Sequence, residues 1–197
     1  ETELLVDLAK DFISENFVEK KVRVLDVGTG SGCIILALAS IVERLEGVGL
    51  DISTEALKVA KENAQKLNLN ERVELRRGDL LEDLRDEFDI LLANLPYIGK
   101  KQFNFVAQDV ASFEPELALY GGDDGLDLYR KMFAQLCALK WRPSLMMGEF
   151  GFGQEKELNK LLEQNFTSSS QNLGKIANFR IIADLAGIPR VFVVNFI

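Results

Sequence analysis

The chain has 197 residues, is 47% hydrophobic, carries a net charge of −8 and contains no histidine. That size and apolar content suit one α/β globular domain, and the charge argues against gripping nucleic acid through many phosphate contacts. The missing histidine removes Ser–His and Cys–His nucleophile pairs and histidine metal sites, while Cys33 and Cys137 form no C-x-x-C pair and fit a reduced, cytoplasmic setting.

No apolar run approaches a membrane span, and no signal peptide is visible. The chain begins at Glu1 without a methionine and runs straight into an amphipathic pattern, as a piece of a longer protein would. Leu4, Leu5, Leu8, Phe12 and Ile13 recur at helical spacing and predict a first helix packed on a sheet. Val22 to Asp26 reads as a strand, Gly28-Thr29-Gly30-Ser31-Gly32 as a turn, and Cys33 to Ile41 as an apolar helix. Strand, glycine turn and helix form the first half of a nucleotide-type βαβ unit, whose helix amino end favours a negative group. A glycine-rich turn alone is a weak signal. The next strand, Val48 to Asp51, ends on an acid about 20 residues beyond that turn, where a carboxylate accepts hydrogen bonds from ribose hydroxyls. The plainer reading of Asp51 is a residue near the start of the next helix, with Ser53 or Thr54 as N-cap. Turn and acid together favour an adenosine-containing cofactor.

Thr54 to Leu67 is predicted helical, with Ala56, Leu57, Ala60 and Ala64 inward, and Val73 to Arg77 is a third strand. Asp79 follows in Gly78-Asp79-Leu80. It is either an acceptor for an adenine amino group or a turn residue beside glycine. Phe88 to Ala93 reads as a buried parallel strand, so Asn94-Leu95-Pro96-Tyr97 sits at a strand's carboxyl end, where open α/β sheets bind ligands. Pro96 biases Leu95 toward an extended shape, which sets the Leu95 carbonyl beside the Asn94 side-chain oxygen. Two adjacent acceptors match the two hydrogens of a planar NH2 group, and Tyr97 offers an aromatic face for a flat group. Alone, the tetrapeptide reads better as a turn; the upstream cofactor pattern reverses that preference.

Periodicity is lost from Ile98 to Asp124, a stretch holding Phe103, Phe105 and Phe113, either as walls of a substrate channel or as tucked core residues. Gly125 to Leu139 is a predicted helix, Ser144 to Glu149 a strand, Gln154 to Asn165 a helix, and Thr167 to Ser170 a polar connection. Asn178 to Ile182 and Val191 to Phe196 are the last strands, joined through Gly187-Ile188-Pro189 with no helix between them, hence an antiparallel pair. No repeat and no second domain is visible.

Val24-Leu25-Asp26-Val27-Gly28-Thr29-Gly30-Ser31-Gly32 resembles the first motif of class I S-adenosylmethionine-dependent methyltransferases, and Asp51, Asp79 and Asn94 to Tyr97 resemble the later ones in order. More narrowly, the chain resembles the protein-glutamine methyltransferases that modify peptide-chain release factors. The stretches that carry this are Glu1-Thr2-Glu3, Phe113 to Leu119, Gly121-Gly122-Asp123-Asp124-Gly125 through Arg130, and Ala186 to Arg190. The resemblance implies a three-layer Rossmann-like α/β fold with a mostly parallel sheet and an antiparallel last strand. It implies S-adenosylmethionine as cofactor, held by Asp26, Gly28, Thr29, Gly30, Ser31, Gly32, Asp51, Ile52, Asp79, Leu80 and Asn94. It implies catalysis by Asn94, Leu95, Pro96 and Tyr97 on the glutamine of a release factor's Gly-Gly-Gln motif, by a cytoplasmic monomer with no membrane or direct nucleic-acid partner. Two departures stand out: Leu95 replaces the family's usual proline, and the family's amino-terminal helical domain is absent, so residues 1–197 correspond to the catalytic domain. The rival readings are an amino-methyltransferase acting on adenine or cytosine, whose exocyclic NH2 fits the same acceptors, and a non-catalytic cofactor-binding subunit. A nicotinamide dehydrogenase fits less well, because the turn reads G-x-G-x-G and Asn94 would have no role.

Overall fold

The computed structural model describes residues 2–99, 121–166 and 177–196. Its strands are β1 (Val22–Val27), β2 (Leu45–Asp51), β3 (Val73–Arg77), β4 (Ile90–Asn94), β5 (Leu145–Glu149), β6 (Ala177–Ala183) and β7 (Pro189–Phe196). The helices are α1 (Thr2–Asn16), α2 (Cys33–Ile41), α3 (Thr54–Lys66), α4 (Asp127–Ala138) and α5 (Glu155–Phe166). The strands form one sheet in the order β3-β2-β1-β4-β5-β7-β6. Neighbours from β3 to β5 are parallel, whereas β7 runs antiparallel to both β5 and β6. This is the mostly parallel α/β sheet the sequence predicted.

Alternation along the strands makes the three layers. Val24, Ile90, Leu92 and Met147 face one side, with Leu5, Ala9 and Ile13 of α1 and Ile35 and Leu38 of α2. Leu25, Leu91, Ala93 and Met146 face the other, with Tyr129, Met132 and Phe133 of α4 and Leu158, Leu162 and Phe166 of α5. Burial on both faces explains the near-continuous apolar runs of the central strands.

The strand bounds differ from expectation for local reasons. Strand β2 starts at Leu45, earlier than Val48, because Leu45 pairs with Val22 and Gly47 passes close beneath Ile35. Phe88 lies outside β4 and packs its ring 6.0 Å from that of Trp141, whereas Asn94 lies inside β4 and pairs with Glu149. Helix α4 starts at Asp127 and not at Gly125, whose φ of 82° is not helical. The registers Val27↔Ala93 and Asn94↔Glu149 bring the carboxyl ends of β1, β4 and β5 into one row. Phe103, Phe105, Phe113 and the Thr167 to Ser170 connection lie outside the described residues. No helix among the described residues is long and apolar enough to cross a membrane, and no group of acidic or sulfur side chains among them could hold a metal ion.

Candidate active site

The first half of the site lies at the ends of β1, β2 and β3. Gly28, Gly30 and Gly32 all have positive φ, 70°, 56° and 82°, which glycine adopts without steric cost. A Cβ on Gly30 would meet nothing within 4 Å, so this backbone borders open space. The turn is tied down from below. Thr29 N–H donates to the Leu50 carbonyl at 2.9 Å, Gly30 N–H to Asp51 Oδ2 at 2.8 Å, and Asn63 Nδ2 to the Ser31 carbonyl at 3.0 Å. The other carboxylate oxygen of Asp51 accepts from Ser53 N–H at 2.8 Å, and Ser53 itself caps α3 through Ala56 N–H. Ser53 is thus the N-cap of the plainer reading, and Asp51 ties the glycine turn to the start of α3. Beside it Ile52 is 56% exposed.

Asp26 is fully buried beneath the turn. Thr29 Oγ1 donates to its Oδ2 at 2.6 Å, while Oδ1 has no hydrogen-bond partner. Burial, helped by the nearby Asp51 charge, pushes its pKa up to about 6, against the lowering effect of the Thr29 hydroxyl and the Ile35 backbone. A buried, half-satisfied carboxyl costs stability. Asp79 pairs with Lys131 of α4 at 2.6 Å, an exposed ion pair of little energetic weight, and Leu80 takes a φ of 56° and tucks into the core.

The second half lies at the ends of β4 and β5. Asn94 Nδ2 donates to Glu149 Oε2 at 3.0 Å and to Thr2 Oγ1 at 3.2 Å. Thr2 Oγ1 donates in turn to Glu149 Oε2 at 3.2 Å, and Tyr97 OH to Glu149 Oε1 at 3.2 Å. Beneath them the buried Tyr129 hydroxyl donates to the Glu149 carbonyl at 2.5 Å and lies 3.1 Å from that of Ala93. Burial, with an opposing hydrogen bond from the Leu95 backbone, raises the Tyr129 pKa far above the usual phenol range. Gln154, also buried, donates to the carbonyls of Tyr97 at 2.7 Å and Asp124 at 2.8 Å. A Cβ at Gly125 would collide with the Tyr97 carbonyl, so glycine there lets residues 121–125 lie against the tetrapeptide. The halves meet where a Cβ on Gly28 would come 2.8 Å from Leu95 Cδ2. The Leu95 side chain is buried in the core against the glycine turn.

A methyltransferase-domain family model matches residues 18–165. The chain belongs to that family. It is similar to the release factor glutamine methyltransferase of Clostridium acetobutylicum, 38% identical over 166 residues, covering 83% of this chain and 57% of that protein. It is also similar to that of Koribacter versatilis, 33% identical over 195 residues, covering 98% and 64%. The chain thus spans about half to two thirds of the length of the curated relatives it matches. Among solved structures, the hMettl16 catalytic domain in complex with the MAT2A 3'UTR hairpin 6 shares the fold, with a TM-score of 0.73 at 15% identity over 100% of this chain and 70% of that one.

In this methyltransferase domain the structure brings together Asp26, the Gly28–Gly32 turn and Asp51, and sets Asn94 and Leu95 beside that turn. Sequence reasoning missed Glu149 and Gln154 as site residues, and saw Thr2 and Tyr129 only as parts of the stretches that carry the resemblance. Glu149 did leave a signal: it is the lone acid closing an apolar strand, the position Asp51 holds on β2.

Proposed function

We propose that the chain transfers the methyl group of S-adenosylmethionine to the side-chain amide nitrogen of the glutamine in the Gly-Gly-Gln motif of a peptide-chain release factor. The observation that carries this is Asn94, anchored through its amide nitrogen at the end of β4 beside the glycine turn, in a chain similar to release factor glutamine methyltransferases. The cofactor would be held by Asp26, Gly28 to Gly32, Asp51, Ile52, Asp79, Leu80 and Asn94. The orphaned Asp26 Oδ1 and the open space over Gly30 fit a group bound there. When bound, it supplies an electrophilic methyl group on a sulfonium.

A glutamine amide nitrogen is a weak nucleophile, because its lone pair is delocalised into the carbonyl. The chain's task is positional. Asn94 Oδ1 and the Leu95 carbonyl accept the two amide hydrogens and aim the nitrogen, and orientation of this kind supplies on the order of 7–11 kcal/mol. The same two oxygens would stabilise positive charge building on nitrogen. Tyr97, its ring beside Gly151 and its hydroxyl on Glu149, forms a wall for the planar amide. The domain would act as a cytoplasmic monomer, with a release factor as its protein partner.

Incubation with methyl-tritiated cofactor tests this, offering release factor, a Gly-Gly-Gln peptide and ribosomal RNA in parallel. The expected result is one methyl on the glutamine, located by mass spectrometry. Label in RNA with none in protein would instead make an adenine or cytosine amino group the acceptor.

A further inference from the structure

A planar side-chain amide can be turned over, and only one of its faces suits an NH2 substrate. Asn94 must present Oδ1 to the substrate and keep Nδ2 away. Nothing in the tetrapeptide itself decides this, since oxygen and nitrogen have nearly the same size.

The contacts around Asn94 do decide it. Thr2 Oγ1, Asn94 Nδ2 and Glu149 Oε2 form a near-equilateral triangle with sides of 3.2, 3.0 and 3.2 Å. Thr2 Oγ1 has one hydrogen, which it gives to Glu149, so it can only accept from Asn94. Tyr97 OH donates to the remaining carboxylate oxygen. The Glu149 side chain, in a residue 3% exposed, is thus an acceptor ringed by donors. Turning Asn94 over would set Oδ1 against Oε2, acceptor against acceptor, where water has little access. Strand pairing of Asn94 with Glu149 and the Tyr129 hydroxyl on the Glu149 carbonyl keep the two residues level.

We infer that Glu149, assisted by Thr2, is a positioning residue that locks the Asn94 amide with its oxygen toward the substrate, and thereby makes the site select an acceptor that donates N–H. This rests on the proposed role of Asn94 as the group that holds the substrate amide. Glu149 acts on turnover through Asn94 and touches no reacting atom.

Glu149→Gln is the informative variant, being nearly isosteric but able to donate as well as accept. Asn94 then populates both orientations, and the competent fraction falls. The expected result is a kcat about tenfold lower or more on the Gly-Gly-Gln peptide, with cofactor affinity and Tm within error of the parent chain. In an Asn94→Ala background the same change should cost nothing further, because its effect passes through Asn94. A general structural role would lower activity in both backgrounds. Solvent exchange of the Asn94 side-chain amide hydrogens, assigned by their loss in Asn94→Asp, needs no substrate. It should be slow in the parent chain and about tenfold faster in Glu149→Gln. Unchanged exchange, or unchanged kcat in a parent that methylates glutamine, overturns this inference alone. A parent that methylates only a nucleobase overturns the proposed substrate, while the exchange measurement still decides the role of Glu149.

Discussion

The two halves of the site are built in different ways. At the ends of β1 and β2, backbone does most of the work, and the partners are near in sequence: Thr29 with Asp26, Gly30 with Asp51, Ser53 with Asp51. At the ends of β4 and β5, side chains hold one another across long separations, Thr2 to Glu149 spanning 147 residues and Asn94 to Thr2 spanning 92. The first half can form with a single βαβ unit. The second exists only once α1, β4, β5 and α4 have all docked. The lesson is that a ligand gripped by backbone leaves a motif, whereas a side chain aimed by other side chains leaves scattered single residues.

The largest expected effect breaks the second half and spares the first. Asn94→Ala should lower kcat by roughly 10²–10³, as loss of a preorganised polar contact does in other enzymes, while calorimetric affinity for the cofactor falls by much less, since the glycine turn and Asp51 still hold it. Near-normal turnover would make the tetrapeptide only a turn.

The next effect probes what the first half costs. Asp26 has an ordinary pKa of 3.8 when unfolded and about 6 when folded, so the folded chain holds its proton more tightly. Stability should therefore fall as pH rises from about 4 to about 6 and level off above, by roughly 3 kcal/mol at 1.36 per pKa unit. Asp26→Asn should lack that slope, and should be the more stable chain at pH 7 while binding cofactor more weakly. Urea midpoints of both chains across this range give the difference directly; parallel curves would refute the buried carboxyl's role.

Asp51→Ala should weaken cofactor binding by about 1.5–3 kcal/mol for each charge-assisted bond lost. It also frees Gly30 N–H and Ser53 N–H, so a loosened turn should show in hydrogen exchange at residues 29–32. Equal cofactor affinity in parent and variant would remove Asp51 from the site.

The smallest effect lies where the halves touch. Leu95→Pro keeps the carbonyl at 95 and favours the same extended shape, so turnover should persist. It removes the Leu95 N–H bond to Tyr129 and buried side-chain atoms that pack toward Gly28, for a stability loss of about 1–2 kcal/mol. Thermal unfolding alongside single-turnover assays separates the two; lost turnover with unchanged Tm would show that more than the carbonyl is used.

What the sequence by itself determined was the fold class, the order of the elements and the glycine turn with Asp51 beyond it. Each of those rests on periodicity and on motifs that fit within one strand-turn-helix unit, where chain neighbours are also neighbours in space. Asn94 was legible too, because it ends an apolar strand. The ends of strands were less so: Phe88 is apolar enough to extend β4 but packs on Trp141 instead, a choice only the folded chain presents. The tertiary structure alone decided which way Asn94 points. Glu149 is marked locally only as an acid closing an apolar strand, which does not say what it faces. Its position beside Asn94 follows from the register of β4 on β5, and Thr2 reaches both because α1 packs across the same face as α2. Those neighbours are set by packing of surfaces far apart along the chain, which no short-range pattern encodes.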